Sequence, residues 1–442
     1  MSGKDVHLME VSNIIVRFRI KRAHLWISLL SSLFLLPSYT LALTKPISLS
    51  EAEYLAINNS PELQKFEANT HALNNQAIVD GQLSDPQLIV GAANVPTNSF
   101  SFTQDDMTMI NVGLQQTFPR GHSLAIKSKQ TKALATAEER KEEEQTAMLL
   151  RNVRETWLDL YYWTQAAHIV RENQNLYRRL LQSTESQYST GKGNQSDVLQ
   201  LQVEVSRLNI QNTQIQEQIE VLRAQLGRWI GQAQANRPLV QRLPKWPNPL
   251  PMQTLETRLS AHPLLTADLA NIEAARDAVA YAKEQYKPGW MLNVGYGIRQ
   301  GTYMDGSGQE RPNFFGAQVT IDLPIFPGNR QDKQVNVSAD QLEAAKFDRD
   351  AHYRDLLKEL TIQYAMWRNL SKREEIYHQH LYPEARQNSK AALLAYQSTT
   401  SSLSTVLRAY SNQLTIKLEQ IQIEVERAKA RVALLYLEGV TQ

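Results

Sequence analysis

The sequence predicts a mainly α-helical chain that carries four amphipathic β-strands and is built as an internal duplication. Three observations support this fold class. Two stretches of about 65 residues contain no glycine, four short segments alternate in polarity, and matching motifs recur about 200 residues apart. Composition agrees, because glycine (18) and proline (17) are sparse while glutamine is frequent, with 40 residues in 442. These biases are typical of long polar helices.

Charge and cysteine content exclude several classes of protein. Lysine and arginine (47) nearly balance aspartate and glutamate (45), so the net charge of +2 gives no indication of nucleic-acid binding. The absence of cysteine excludes disulfides, thiol catalysis, Cys-ligated metal sites and a lipid anchor on an N-terminal cysteine. The mean hydropathy of −0.42 is too polar for a protein of many membrane-spanning helices.

Residues 1–42 predict a secretory signal peptide. Basic residues precede an apolar run over 25–36, and Ala42 follows as a small residue suited to cleavage. The alternative is an uncleaved membrane anchor, although the apolar run is short for a spanning helix, which needs about 20 residues. We therefore expect an exported chain.

The exported chain is predicted to contain two repeats, residues 43–231 and 256–442, joined by a proline-rich linker over 232–255. Five prolines between positions 238 and 251 exclude regular helix there. Matching motifs keep their order while their offset rises only from 202 to 208, which indicates a duplication. The matching segments are 60–63 with 262–265, 115–119 with 320–324, and 188–199 with 396–407.

Each repeat is predicted to contain long helices packed in coiled-coil fashion. The glycine-free stretches 124–188 and 331–396 would form rods of roughly 100 Å, which must pack against similar rods. Two further helices carry seams of residues at steps of three and four. The seam residues are Leu201, Val205, Leu208, Asn212, Ile215, Ile219, Leu222 and Leu226 in one helix, and Leu407, Tyr410, Leu414, Leu418, Ile421, Val425, Ala428, Val432 and Leu435 in the other.

Each repeat also contains two predicted strands, near 88–95 and 108–115 in the first and near 290–298 and 315–323 in the second. Apolar residues alternate with polar residues or glycine, weakly in the first segment, and aromatic residues lie at the strand ends. Two ordinary hairpins packed on a helix would give the same pattern. However, four strands cannot close a membrane barrel, and lipid does not tolerate an open sheet edge. If the strands cross a membrane, several chains must share one barrel that their long helices continue as a tube.

In this order, the motifs resemble those of the TolC-like outer-membrane efflux channels. The residues that carry the resemblance are 59–63 (NSPEL), 85–88 (DPQL), 113–121 (GLQQTFPRG) and the two tip segments 188–199 and 396–407. The resemblance covers essentially all of the exported chain. It implies a homotrimer with a twelve-stranded barrel in outer-membrane lipid and a coiled-coil α-helical tunnel in the periplasm.

The resemblance also implies partners, namely a periplasmic adaptor protein and an inner-membrane pump of the resistance–nodulation–division (RND) class. Segments 85–88, 94–96 (NVP) and 107–109 (MTM) look most similar to the branch that works with heavy-metal cation pumps. We therefore expect the passive exit duct of a tripartite efflux system. One alternative is the outer-membrane channel of a type I protein secretion system, and another is a periplasmic coiled-coil adaptor without a pore.

The turns between the long helices are the predicted adaptor contacts. Glycine permits the reversal of the chain, and Ser196 or Ser404 is predicted to cap the returning helix. The alternative is that these residues only form the turns. Some family members narrow the tunnel with aspartates just past the second tip, but this chain has Thr405 and Arg408 there. The predicted contact residues are Gly191, Gly193, Ser196, Asp197, Ser402, Leu403 and Ser404.

The predicted transitions from barrel to helix are marked by Pro119 and Gly121 in the first repeat and by Pro324 and Pro327 in the second. Elsewhere, the run 138–144 predicts a solvated helix face. His378 and His380, two apart on a helix, should point in different directions and are not expected to bind a metal. We expect no catalytic residues, no metal site and no cofactor.

Overall fold

The computed structural model describes residues 45–439, and the predicted signal peptide lies outside this part of the chain. The first repeat contains two helices, two strands and two long helices. Their bounds are α1 Leu49–Asn58, α2 Pro61–Asp80, β1 Gln87–Ala93, β2 Met109–Phe118, α3 Ser123–Ser189 and α4 Gln195–Ile230.

The second repeat has the same order of elements. A short helix, α5 (Gln232–Ala235), follows the first repeat, and no further helix begins until α6 (Met252–Leu259). The predicted linker is therefore irregular only in its middle, between these two helices. The remaining elements are α7 Pro263–Glu284, β3 Trp290–Ile298, β4 Phe314–Ile321, α8 Gln331–Ile376, a π-helical turn Tyr377–Leu381, α9 Tyr382–Gln397 and α10 Leu403–Leu437.

Corresponding helices of the two repeats begin in the same way. Helix α2 starts with Pro61 after Ser60, whose hydroxyl accepts from Leu63 N at 3.3 Å. Helix α7 starts with Pro263 after His262, whose Nδ1 accepts from Leu264 N at 3.3 Å. Proline fits the first helical position because the N–H that it lacks would have no partner there.

The four strands form one antiparallel sheet in the order β1-β2-β3-β4. Strands β2 and β3 pair directly, from Ile110 opposite Ile298 to Phe118 opposite Trp290. This pairing joins the hairpin of the first repeat to that of the second. The outer edges of the sheet are β1 and β4.

The long rods are present, and the second contains a local change of helix type. Helix α3 is 67 residues long, or roughly 100 Å at 1.5 Å per residue. Helix α8 continues through the π-helical turn into α9, where Pro383 lies at the start of the new helix. Proline has no N–H to donate to the preceding turn, and a π-turn is one way to accommodate that loss.

The main core is formed by α1, α3, α4 and α10 around Trp157, which is only 1% exposed. The predicted seam of α4 is correct, since its leucines and isoleucines are buried, whereas Asn212 and Val205 are only partly covered. The seam of α10 is also correct, because its members are buried or pack against buried residues of the cores. The predicted fold class, mainly helical with four strands and an internal duplication, is thus confirmed.

Candidate functional site: barrel wall, junctions and helix tips

One face of the sheet is apolar and exposed on the single chain. The strand registers bring Val90, Val112, Tyr296 and Phe315 into one row across all four strands. Their exposed fractions are 65%, 38%, 47% and 73%. Such a large exposed apolar surface indicates contact with lipid or protein. The same face also carries Leu88, Ala92, Ile110, Leu114, Leu292, Val294, Ile298, Ala317, Val319 and Ile321.

The opposite face of the sheet is uncharged and consists mainly of polar residues and glycine, with apolar side chains at Ile89, Ala93, Met109, Met291 and Phe314. Gln87, Gln115, Asn293 and Gln318 form one row across the strands, and Gln115 Nε2 donates to Gln87 Oε1 at 3.3 Å. In the neighbouring row, a Cβ on Gly113 would lie 2.9 Å from the carbonyl oxygen of residue 294, so this close approach of strands requires glycine. The four strands contain no charged residue. A wall that is apolar on one side and mainly polar or glycine on the other fits a membrane channel.

The first junction, between β2 and α3, is held by polar contacts within the chain. Pro119 and Gly121 lie between the end of β2 at Phe118 and the start of α3. Arg120 Nη1 donates to Gln285 O at 2.7 Å, and His122 N donates to Glu284 Oε2 at 2.6 Å.

Gly121 is required at the first junction for two reasons. Its φ of +50° is strained for residues with a side chain. A Cβ there would also lie within 2.0 Å of Glu284 Oε2.

The second junction, between β4 and α8, is apolar and uncovered. Pro324 and Pro327 lie between the end of β4 and the start of α8, in a segment without regular structure. The exposed fractions of Leu323, Ile325 and Phe326 are 70%, 66% and 83%. The two junctions therefore differ chemically although they arise from equivalent parts of the repeats.

The first tip turns at the two predicted glycines. Gly191 has φ +72°, and a Cβ on Gly193 would lie 2.8 Å from Tyr188 N. The predicted cap at Ser196 is wrong, because the N-cap is Asn194, whose Oδ1 accepts from Ser196 N at 3.0 Å. The helix starts one residue after Asn194, so Ser196 already lies in its first turn. Ser196 is exposed and Asp197 is half-buried.

The second tip turns without glycine. Thr399 adopts a positive φ of 59°, and Thr400 N donates to Ala395 O at 2.9 Å. The predicted cap at Ser404 is also wrong, because Ser402 holds the N-cap position and its hydroxyl contacts those of Ser404 and Thr405 at 2.8 and 3.1 Å.

The predicted contact residues of the second tip differ in exposure. Leu403 is buried, with 1% exposed, so its side chain anchors the tip in the core and is not available to a partner on the single chain. Ser402, Ser404, Thr405 and Arg408 are exposed.

The acidic run 138–144 is not a solvated face as predicted. Most of its side chains are half-buried. Glu138 Oε1 accepts from Asn69 Nδ2, and Glu144 Oε1 accepts from Tyr436 OH, both at 2.9 Å. Burial raises the pKa of Glu144 above its usual range. The prediction failed because helix α2 and the end of α10 pack over this part of α3.

His378 and His380 lie in the π-helical turn, and His378 is paired within the chain. Its Nε2 lies 2.9 Å from Glu424 Oε1 on α10, and its ring also contacts Gln420. Across residues 45–439, no three His, Asp or Glu side chains are grouped so as to hold a metal ion.

Two buried arginines in the loops at the far end of the sheet were not predicted. Arg299 Nη1 donates to Asp106 O at 2.9 Å, and its guanidinium lies 4.0 Å from the ring centre of Phe314. Arg311 Nη2 pairs with Asp106 Oδ1 at 2.7 Å and donates to Thr103 O at 3.1 Å. These contacts fasten the loop of the first hairpin to the loop of the second. The sequence alone gives no signal for them, since any loop arginine could be solvated.

Within the described range of the chain, no helix has the length and apolar character needed to span a membrane. The fold combines a four-stranded sheet of two unlike faces with a long helical extension. Residues 53–232 and 254–440 match the family model described as outer membrane efflux protein, so the chain belongs to this family. The protein is therefore an outer-membrane efflux channel whose helical part extends into the periplasm, and it is a transport protein and not an enzyme.

Solved structures of the same fold are similar over most of their length. The chain is 17% identical to the outer membrane protein VceC from Vibrio cholerae, with a TM-score of 0.73, and the match covers 88% of this chain and 96% of VceC. The chain is 16% identical to the outer-membrane channel OprN, with a TM-score of 0.73, and the match covers 88% of this chain and 89% of OprN. It is also 16% identical to CusC, with a TM-score of 0.74, and that match covers 88% of this chain and 91% of CusC. No curated protein sequence matches the chain.

Proposed function

We propose that three copies of this chain form one twelve-stranded barrel and act as the passive exit duct of a tripartite efflux system. The four-stranded sheet carries the proposal, since it has two open edges, one exposed apolar face and one uncharged polar face. Four strands are too few for a membrane barrel, and three sheets give twelve. The duct would receive its substrate from a periplasmic adaptor and an inner-membrane RND pump, which supplies the energy.

Conductance measurements test the channel proposal. The purified oligomer is added to a planar lipid bilayer, and its mass in detergent is determined in parallel. We expect trimers that open discrete conductance steps. Monomers without conductance would overturn the proposal.

We further propose heavy-metal cations as the exported substrates. The support comes from segments 85–88, 94–96 and 107–109, which resemble the branch of the family that works with heavy-metal pumps. A deletion strain is tested for sensitivity to monovalent and divalent metals and to a panel of drugs. Unchanged metal tolerance together with increased drug sensitivity would contradict the proposal of metal substrates while still supporting the proposed efflux channel.

The principal alternative is the channel of a type I protein secretion system, because the same duct can serve either machine. The neighbouring genes separate the two: an RND pump favours efflux, and an ABC exporter favours secretion. The adaptor alternative is set aside, since the chain belongs to the channel family and has four strands in one sheet.

We also propose that the helix tips contact the adaptor through Gly191, Gly193, Ser196, Asp197, Ser402 and Ser404. Exposure of Ser196, Ser402 and Ser404 supports this, while Leu403 positions the second tip from inside the core.

The proposed tip contact can be tested by site-specific cross-linking, because the chain has no cysteine and an introduced cysteine is the only one that a thiol reagent can label. A photo-cross-linker is attached to Ser196→Cys or Ser404→Cys, with Gln253→Cys in the exposed part of α6 as the control. Cross-links to the adaptor should form at both tip positions and not at the control. Equal labelling at all three positions would remove the assignment.

A further inference from the structure

The mainly polar face of the sheet has no charge along its strands, but a carboxylate stands where it joins the helices. Strand β4 ends at Ile321, and the strand ladder continues for one more residue, because Asp322 N donates to Gly289 O at 2.9 Å. Alternation along β4 places Asp322 on the same side as Gln318 and Thr320, which is the polar face. The Asp322 side chain is 65% exposed.

The glycine beside Asp322 shows that the carboxylate lies over this face. Gly289 alternates with Trp290 along the chain, so a Cβ on Gly289 would point to the polar face, as Met291 does. That Cβ would lie 3.4 Å from Asp322 Oδ2 and 3.3 Å from Arg120 Cγ. Both charged side chains therefore lie above the polar face at the end of the sheet.

Asp322 also lines an open cleft of about 280 Å³, together with Thr117, Met291 and Thr320. A water molecule occupies about 30 Å³ in the liquid, so a cation with a shell of about six waters fits into this volume. A hydrated cation can thus approach the carboxylate without losing its water.

Arg120 neutralises Asp322 only in part. Its Nη2 lies 3.5 Å from Asp322 Oδ2, which is longer than the roughly 2.7–2.9 Å of a charge-assisted hydrogen bond. Its Nη1 donates instead to Gln285 O at 2.7 Å, and the arginine side chain is only 18% exposed. The arginine is therefore largely covered within the junction, whereas the carboxylate is open to water on the polar face.

Several other charges near the ends of the sheet are paired or buried. Lys287, just before β3, pairs with Glu284 at 2.8 Å. At the outer end of the strands, Arg299 and Arg311 are buried in the loops. Asp85 is exposed, but it precedes β1 and lies outside the strand register, so the sheet does not fix the side to which it points. Asp322 is the carboxylate that the strand ladder holds on the polar face.

We propose that Asp322 determines the charge preference of the channel, its carboxylate favouring cations over anions where the sheet joins the periplasmic helices. Each copy of the chain contributes one such carboxylate, so three surround the lumen of the proposed trimer. An exposed charge in a cleft with walls of low dielectric constant raises the local concentration of counter-ions and lowers that of ions of like charge. The inference rests on the proposed channel and specifies the charge class that it passes best.

Reversal potentials in planar bilayers test the inference. The oligomer separates about 0.1 M KCl from a tenfold more dilute solution, in which the screening length is about 10 Å or more. The potential at zero current gives the permeability ratio of K⁺ to Cl⁻. Asp322→Asn should lower this ratio at least twofold, because asparagine keeps the shape of the side chain and removes only its charge. The difference should largely disappear near 1 M KCl, where the screening length falls to about 3 Å.

Two further variants control for the position of the charge. Asp305→Asn removes an exposed aspartate from the outer loop between β3 and β4 and should change the ratio less than half as much. Asp322→Asn combined with Thr320→Asp moves the carboxylate about 7 Å along the same face, and at least half of the lost cation preference should return.

The outcomes separate this inference from the proposed channel. A conducting parent whose permeability ratio is unchanged by Asp322→Asn, or changed equally by Asp305→Asn, would overturn the role of Asp322 alone. A double variant without recovery would also overturn it. A parent that opens no conductance steps would overturn the proposed channel and the selectivity role with it.

Discussion

Replacing Arg431 with methionine should destabilise the protein by detaching the linker from the end of α10. Arg431 Nε donates to Pro247 O at 2.8 Å, and its Nη1 pairs with Glu438 Oε1, also at 2.8 Å. The two side chains are only 6% and 7% exposed. Removing one member of a buried ion pair costs about 3–5 kcal/mol, because the remaining charge is left without a partner.

The length of the chain determines how far this loss of free energy lowers the melting temperature. Unfolding entropy is about 2.1 cal/mol/K per residue, or roughly 0.8 kcal/mol/K for about 400 residues. Arg431→Met should therefore lower the midpoint by about 4–6 °C. The measurement is circular dichroism at 222 nm of the purified oligomer, with all variants heated at one scan rate, since the unfolding of such assemblies is often irreversible.

The double variant Arg431→Met with Glu438→Gln provides the control. It removes both charges, so no uncompensated carboxylate stays buried, and more than half of the lost stability should return. Part of the loss should persist, because Pro247 O still lacks its donor. A double variant that melts as low as the single one, or a single variant that melts within 1 °C of the parent, would refute this reasoning.

Three further predictions concern other parts of the chain. Burial lowers the pKa of His262 to about 4. In the unfolded chain this histidine binds a proton near pH 6.5, whereas in the folded chain it stays neutral until about pH 4. The free energy of unfolding should therefore fall by roughly 1.4 kcal/mol per pH unit as the pH is lowered from 6.5 to 4. His262→Asn should remove that part of the pH dependence in melts at pH 5 and 7. Tyr436→Phe should cost about 1.5–3 kcal/mol at pH 7, because Glu144 loses a donor. That loss of stability should be smaller at acidic pH, because the raised pKa of Glu144 allows its carboxyl group to be protonated there. Thermal melts of the variant and the parent at low and neutral pH measure the difference. At the first tip, both alanine variants should strain the turn, Gly191→Ala through its positive φ and Gly193→Ala through a Cβ placed against the backbone of Tyr188. Gly193→Ala should reduce adaptor binding in a pull-down several-fold more than Gly191→Ala, because the steric overlap with backbone displaces the turn itself.

Each of these predictions has a contradicting result. The first fails if His262→Asn keeps the full loss of stability between pH 7 and 5. The second fails if the cost of Tyr436→Phe is the same at low and neutral pH. If the two glycine variants bind the adaptor equally, the turn geometry does not control the contact.

Periodicity predicted the elements well, because a helix seam or an alternating strand is a local property. The seams beginning at Leu201 and Leu407 were predicted with nearly all their members, and the strands lie where alternation placed them. The capping residues were predicted wrongly. Serine, asparagine and threonine can all cap a helix, and the exact path of the turn selected Asn194 and Ser402.

Partners of charged residues could not be predicted in the same way. The run 138–144 has the composition of a solvated face, yet Glu144 is covered by Tyr436 from a helix about 290 residues away. Arg299 and Arg311 likewise donate hydrogen bonds to backbone carbonyls of a loop that is distant in sequence. Composition cannot indicate burial that is created by another part of the chain.

The sequence by itself determined the duplication, the rods, the amphipathic strands and the family resemblance, since each is written in local spacing or in motif order. Only the tertiary structure decided that β2 pairs with β3, that one junction is sealed by polar contacts within the chain, and that the other is left apolar and open. The physical reason is that pairing and burial depend on which distant surfaces meet. A repeated sequence specifies two equivalent sets of surfaces, and the fold determines which of them a single chain can satisfy.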